Sequence, residues 1–152
     1  MRQLDIDIFV HVSSGWPRRI VGLGLLTKMA ANGDSITVEF SLAVANNANQ
    51  KRIRVYFGGT AIFDTGATGL LVGVSYVLKF NLLVLKDGSN SQRYTFEYFA
   101  VPSTGSSILG ATYGTTTKTD TSTIIIKTTG ETNAASDNDV TQGIMVTRYQ
   151  PV

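Results

Sequence analysis

The sequence predicts an all-β fold, an antiparallel sandwich or barrel, on three observations. Apolar residues recur with a period of two in segment after segment. Turn residues separate these segments at short spacing, and no stretch combines caps with the 3.6-residue apolar period of a helix of several turns. At 152 residues the chain is most simply one domain, long enough to bury a core.

Residues 1–23 are expected to form an N-terminal extended arm or edge strand, and residues 24–152 the β-sandwich domain. LDIDIFVHV alternates with Asp5 and Asp7 on one side, after which SSGWPRRIVGLG breaks and restarts the pattern. A free strand edge is a template for pairing with another chain, so this segment suits subunit contacts. Its candidate interface residues are Ile8, Phe9, Trp16, Arg18 and Arg19, with Trp16 read as an anchor.

ITVEFSLAVA places Ile36, Val38, Phe40, Leu42 and Val44 on one face, which predicts a half-buried strand. KRIRVYF repeats the pattern with Ile53, Val55 and Phe57 inward and Arg52, Arg54 and Tyr56 on a solvated face. Gly58 and Gly59 follow, then TAIFD. Two β-patterned runs separated by the residue pair that best tolerates positive φ predict a tight hairpin turning at Gly58 and Gly59. Asp64, Thr65 and Gly66 then fall at the end of the returning strand.

VSYVLKFNLLVL alternates through Val74, Tyr76, Leu78, Phe80, Leu82 and Val84, and KDGSN closes it with a turn. RYTFEYFAV returns with Tyr94, Phe96 and Tyr98 opposite Thr95 and Glu97. The Ser, Thr and Gly-rich stretch TGSSILGATYGTTTKTDTS has no Pro and holds a short strand as well as loops. STIIIKT and GIMVTRYQ supply two further strands, with TGETNAASDND between them as a polar loop.

Thirteen Lys plus Arg against eleven Asp plus Glu leave a net charge of +2. The densest basic cluster is Lys51, Arg52 and Arg54, not the long basic face of a nucleic-acid binder, so no nucleic-acid partner is expected. The absence of cysteine excludes disulfides, thiol chemistry and cysteine-based zinc sites, and the single histidine, His11, leaves little for a catalytic triad. No cofactor is expected. Asp5 and Asp7 interrupt what would be the apolar core of an export signal. Lys79 and Asn81 interrupt the longest apolar stretch, so no membrane partner is expected.

FDTGATG, residues 63–69, poses the one catalytic question. Asp-Thr-Gly behind apolar residues is how a retroviral-type aspartic protease presents its carboxylate, and Ile108, Leu109 and Gly110 offer the second pattern of such enzymes. A protease also needs a second carboxylate about 3 Å away to share one proton. Short patterns of this kind recur by chance in β proteins, so Asp64 is expected to accept turn amides, with the protease a remote alternative. FGGTAIFDTGATG lacks the Lys-Ser/Thr ending of a phosphate loop. Asp137 and Asp139 lack the Gly and terminal Glu of a calcium loop and are expected in a solvated loop, with no metal.

The stretch MAANGDSITVEFSLAVANNANQKRIRVYFGGTAIFDTG resembles a recurrent β-sandwich module of tailed-bacteriophage virion proteins. The shared features are an A-N-G-D turn, an alternating strand, an N-N-A-N-x-K loop, a basic strand, F-G-G-T and F-D-T-G. IIIKTTGETNAASDNDVTQGIMVTRYQP is similar to the closing strand pair of that module, and the likeness spans about residues 25–152. The resemblance implies a jelly-roll-like sandwich in a phage particle, made in the host cytoplasm. It further implies a non-enzymatic capsid decoration or cement protein that forms a homotrimer and contacts the major capsid protein or another virion protein. The alternative it implies is a tail-fibre or spike module binding host-surface glycans.

Overall fold

The alternation of ITVEFSLAVA becomes the centre of a two-sheet molecule in a computed structural model, which describes residues 11–12, 19–21, 25–27, 29–66, 75–120, 122–133 and 139–152. All regular structure among these residues is strand. Sheet B is built from β4 (Ser35–Val44), β7 (Tyr76–Gly88), β8 (Ser91–Pro102), β9 (Ile108–Thr116) and β11 (Val140–Gln150), in the order β11-β4-β7-β8-β9. Sheet A runs β1-β2-β10-β5-β6, formed by β1 (His11–Val12), β2 (Arg19–Val21), β10 (Ile124–Thr132), β5 (Lys51–Phe57) and β6 (Thr60–Asp64). The short β3 (Leu25–Thr27) also pairs with β10. Every pairing is antiparallel.

The inner faces supply one core, as the sequence period requires of a sandwich. Ile36, Val38, Phe40, Leu42 and Val44 are all buried, as are Ile53, Val55 and Phe57 from the opposing sheet. Phe63 of β6 links the sheets: its ring lies 4.7 Å from that of Phe96 and 5.0 Å from that of Tyr98, the tilted geometry that aromatic quadrupoles favour. A bulge between Val55 and Tyr56 sets two residues of β6 against one of β5, so that Ile62 is buried and Phe63 packs on the core as well.

The hairpin turn is where the sequence placed it. Phe57 pairs with Thr60 across Gly58 and Gly59, whose φ angles of 54° and 84° lie where only glycine is unstrained. In KDGSN the turn itself is Ser89-Asn90, with Asn90 at φ 50°. Asp120 fixes that turn, accepting from Asn90 N at 2.6 Å and from Lys86 Nζ at 2.5 Å. Buried Gln92 ties β8 to the exit of β9 through Thr116 Oγ1, Lys118 N and the Lys118 carbonyl.

Three local features differ from the expectations or add to them. The stretch TGETNAASDND does not begin as loop, because β10 continues through Thr132 in register with β5. Lys51 shares the inward phase of Ile53 and is fully buried. The Ser/Thr/Gly-rich stretch forms a nine-residue strand, β9, whose glycines are required by β8: a Cβ at Gly110 would stand 2.2 Å from the Tyr98 ring, and one at Gly114 2.7 Å from the Tyr94 hydroxyl. Ile8, Phe9, Trp16, Arg18, Val74 and Asp137 lie outside the described residues. The described backbone of the N-terminal segment, His11–Val12 and Arg19–Val21, pairs within sheet A, and Arg19 lies opposite Glu131.

Candidate functional site

Asp64 stands opposite Arg54 on the outer face of sheet A. Its carboxylate accepts two hydrogen bonds from Arg52, at 2.8 and 2.5 Å, one from Arg54 at 3.2 Å, and one from Gly66 N at 2.8 Å. Thr65 extends the ladder by donating its N–H to the Ile53 carbonyl and accepting the Ile53 N–H on Oγ1. Gly66 takes φ 69°. The Asp-Thr-Gly triplet is thus an Asx turn that ends a strand. Hydrogen bonding by Arg52, outweighing partial burial and helped by the Gly66 amide, holds the Asp64 carboxyl well below the ordinary carboxylate range. Leu109 projects from the outer face of the other sheet, whereas Asp64 lies on the outer face of sheet A.

Two polar clasps account for other motif residues. In A-N-G-D, Asp34 N bonds the Ala31 carbonyl across a turn with Gly33 at φ 95°. The buried Asp34 carboxylate accepts from Ala30 N, Ala31 N and Tyr149 Oη at 2.7 to 2.8 Å, and from Val152 N at 3.2 Å. Burial alone would raise its pKa, but these donors outweigh it and the net shift is downward. In the N-N-A-N-x-K loop, Asn47 Nδ2 and Asn49 Nδ2 both donate to Asp139, which also accepts from Thr132 Oγ1 at 2.9 Å. Lys51 Nζ donates to Asn47 Oδ1 at 2.6 Å, and burial lowers its pKa against the opposing charge of Asp139. Asp139 is therefore buried, not solvated as the sequence led one to expect, because it joins the β4–β5 loop to the start of β11. Among the described residues no group of three or more His, Cys, Asp or Glu side chains is placed to hold a metal ion.

The arrangement with no internal use is the outer face of sheet B. Of ten large apolar side chains exposed among the described residues, Ile125 lies on sheet A and Val152 at the C-terminus; the other eight lie on this face. Val77, Leu83 and Leu85 come from β7 and Val101 from β8. The most exposed are Leu109 at 74 % and Tyr113 at 85 % on β9, and Ile144 at 73 % on β11. Ile144 is set out by a bulge between Gln142 and Met145, with its N–H bonded to Ser41 Oγ. The face forms a groove of about 820 Å³ crossing all five strands. Glu39, Asn81 and Glu97 form one cross-strand row along its floor, beside Lys79, with Phe99 and Leu109 on the β9 side and Ile144 and Val146 on the other. Arg148 pairs with Glu39.

Of the residues singled out in the sequence, the structure places Gly58, Gly59 and Asp64 in sheet A, away from this groove, whereas Leu109 and Gly110, considered there only as a protease pattern, line it. The groove itself was missed, although NLLVL carried a signal for the face around it: an unbroken apolar run marks a strand covered on both faces. No family model, curated protein or solved structure matches the chain.

Proposed function

We propose that this chain is a non-enzymatic structural subunit of a bacteriophage particle, a capsid decoration or cement protein that associates with its own copies and stabilises the shell. One observation carries the self-association: eight of the ten exposed large apolar side chains among the described residues crowd the outer face of a single sheet. Such a concentration of exposed apolar side chains on one face marks a surface that a partner covers. The virion setting rests on the resemblance of the A-N-G-D to F-D-T-G stretch and of the closing strands to phage virion modules. Ile8, Phe9, Trp16 and Arg18 supply the contact to the major capsid protein or another virion protein in this reading. The engagement of Asp64 by two arginines supports a structural role for the Asp-Thr-Gly turn.

Immunogold electron microscopy of intact particles tests the setting, with label expected over the head. A chain lacking residues 1–18, which keeps β2 on β10, is expected to retain its β circular dichroism and lose attachment to shells. Particles without label, or full attachment of the shortened chain, contradict the proposal. The groove also favours a second reading, a fibre or spike module, since Phe99 beside Asn81 and Glu97 offers a sugar an apolar platform next to polar groups. Label at tail tips together with a hit on a glycan array would select it.

A further inference from the structure

We infer that the groove on the outer face of sheet B receives the β9 edge of a second copy of this chain, with Tyr113 as the inserted side chain. The inference rests on the self-association proposed above and names the contact that produces it.

β9 is the last strand of its sheet, nine residues long. Proteins ordinarily protect such an edge with charge, proline or a bulge. Ile108–Thr116 contains no charged residue and no proline, and its pairing with β8 is free of register shifts. The opposite edge of the sheet, β11, has both a bulge and Arg148. β9 also cannot yield easily, because Tyr98 and Tyr94 lie against Gly110 and Gly114 and Gln92 anchors its end. Its exposed Tyr113 is therefore held out on a rigid strand, as a binding knob requires.

The groove fits that knob in chemistry. Its rims, Phe99 and Leu109 on one side and Ile144 and Val146 on the other, are apolar and match the Tyr113 ring, while its floor of Glu39, Asn81, Lys79 and Glu97 offers partners to a phenol hydroxyl. Lys79 pairs with Phe99 and Glu97 with Asn81 in the strand register, so the two charges are diagonal neighbours able to pair as water leaves. An uncharged strand adds no unpaired charge to them. The whole outer face, five strands about 4.8 Å apart and about nine residues long, measures roughly 700 Å², so a copy seated in the groove must also cover its flanks to approach the roughly 800 Å² per partner of a stable interface.

Two exposed-site variants test the contact by complementation in sedimentation velocity, with circular dichroism as the control for folding. Tyr113→Asp spoils the knob and Asn81→Trp fills the groove. The wild-type chain associates, and each variant alone binds itself at least about thirtyfold more weakly, the loss typical of an aromatic hot spot. A one-to-one mixture restores association as a mixed pair, because the intact knob of one variant meets the intact groove of the other. If the wild type associates but the mixture stays monomeric, the knob-in-groove contact is wrong and self-association stands. If the wild type itself stays monomeric at high micromolar concentration, both fall, and another molecule occupies the groove.

Discussion

On the outer face of sheet A, Arg52 and Arg54 reach Asp64, Arg54 also reaches Glu131 at 3.0 Å, and Lys127 lies 5.0 Å from the centre of the Tyr56 ring. The outer face of sheet B instead leaves Leu109, Tyr113 and Ile144 in solvent. Sheet A pairs these charged side chains with its own neighbours. Sheet B presents apolar groups that nothing among the described residues covers. In a sandwich, both inner faces must be apolar, so only the outer faces are free to differ. Their difference separates a face whose charges pair within the chain from one that leaves large apolar side chains exposed.

The largest expected effect lies in the frame that holds sheet B together. Asp34→Ala strips four donors of their acceptor at the junction of β4 and β11, and should lower stability in urea by about 3 kcal/mol, given about 1.5 to 3 kcal/mol for a hydrogen bond to a charged group. A loss under about 1 kcal/mol would mean that the clasp is incidental. Acid probes the same clasp. The folded-state pKa values of Asp34 and Asp64 lie below the ordinary 3.8, so their contribution is complete above that value and disappears as pH falls through the lower folded values. Unfolding midpoints measured from pH 5 downward should therefore fall for the wild type, and fall less for Asp34→Asn.

Next in size is a charge placed on the outer face of sheet B. Ile144→Asp should weaken self-association by about 2 kcal/mol while changing the urea midpoint little, because the side chain is exposed in the single chain. An equal loss of fold stability would show that the face serves the monomer. Smaller is Gly59→Ala, expected to cost about 1 to 2 kcal/mol from backbone strain alone, since a Cβ there meets nothing within 4 Å. The smallest effect belongs to sheet A. Asp64→Asn should cost under about 1 kcal/mol, because solvent screens its ion pairs, and should leave self-association unchanged in sedimentation. A change in association would erase the contrast between the faces.

Much of this fold was legible along the chain. The alternation of Ile36 through Val44 and of Ile53 through Phe57 fixed which side chains face inward, and Gly58-Gly59 fixed a hairpin, because both signals depend on residues adjacent in sequence. Lys51 was not legible, since its burial depends on Asp139 and Asn47, held by a loop from a distant strand pair. The apolar character of the outer face of sheet B was hidden for the same reason. Leu83, Leu109 and Ile144 belong to three strands that become one face only through the order β11-β4-β7-β8-β9. Asp64 was legible in kind, as a turn acceptor, but its two arginine partners required the β5–β6 register.

The most direct measurement uses the absence of native cysteine. Single variants Ile144→Cys on sheet B and Ile125→Cys on sheet A are reacted with a maleimide at concentrations above and below dissociation. The account predicts that the thiol at position 144 is protected in the associated protein and becomes reactive on dilution, while the thiol at position 125 reacts alike under both conditions. Equal reactivity of the two thiols in the associated protein would contradict it.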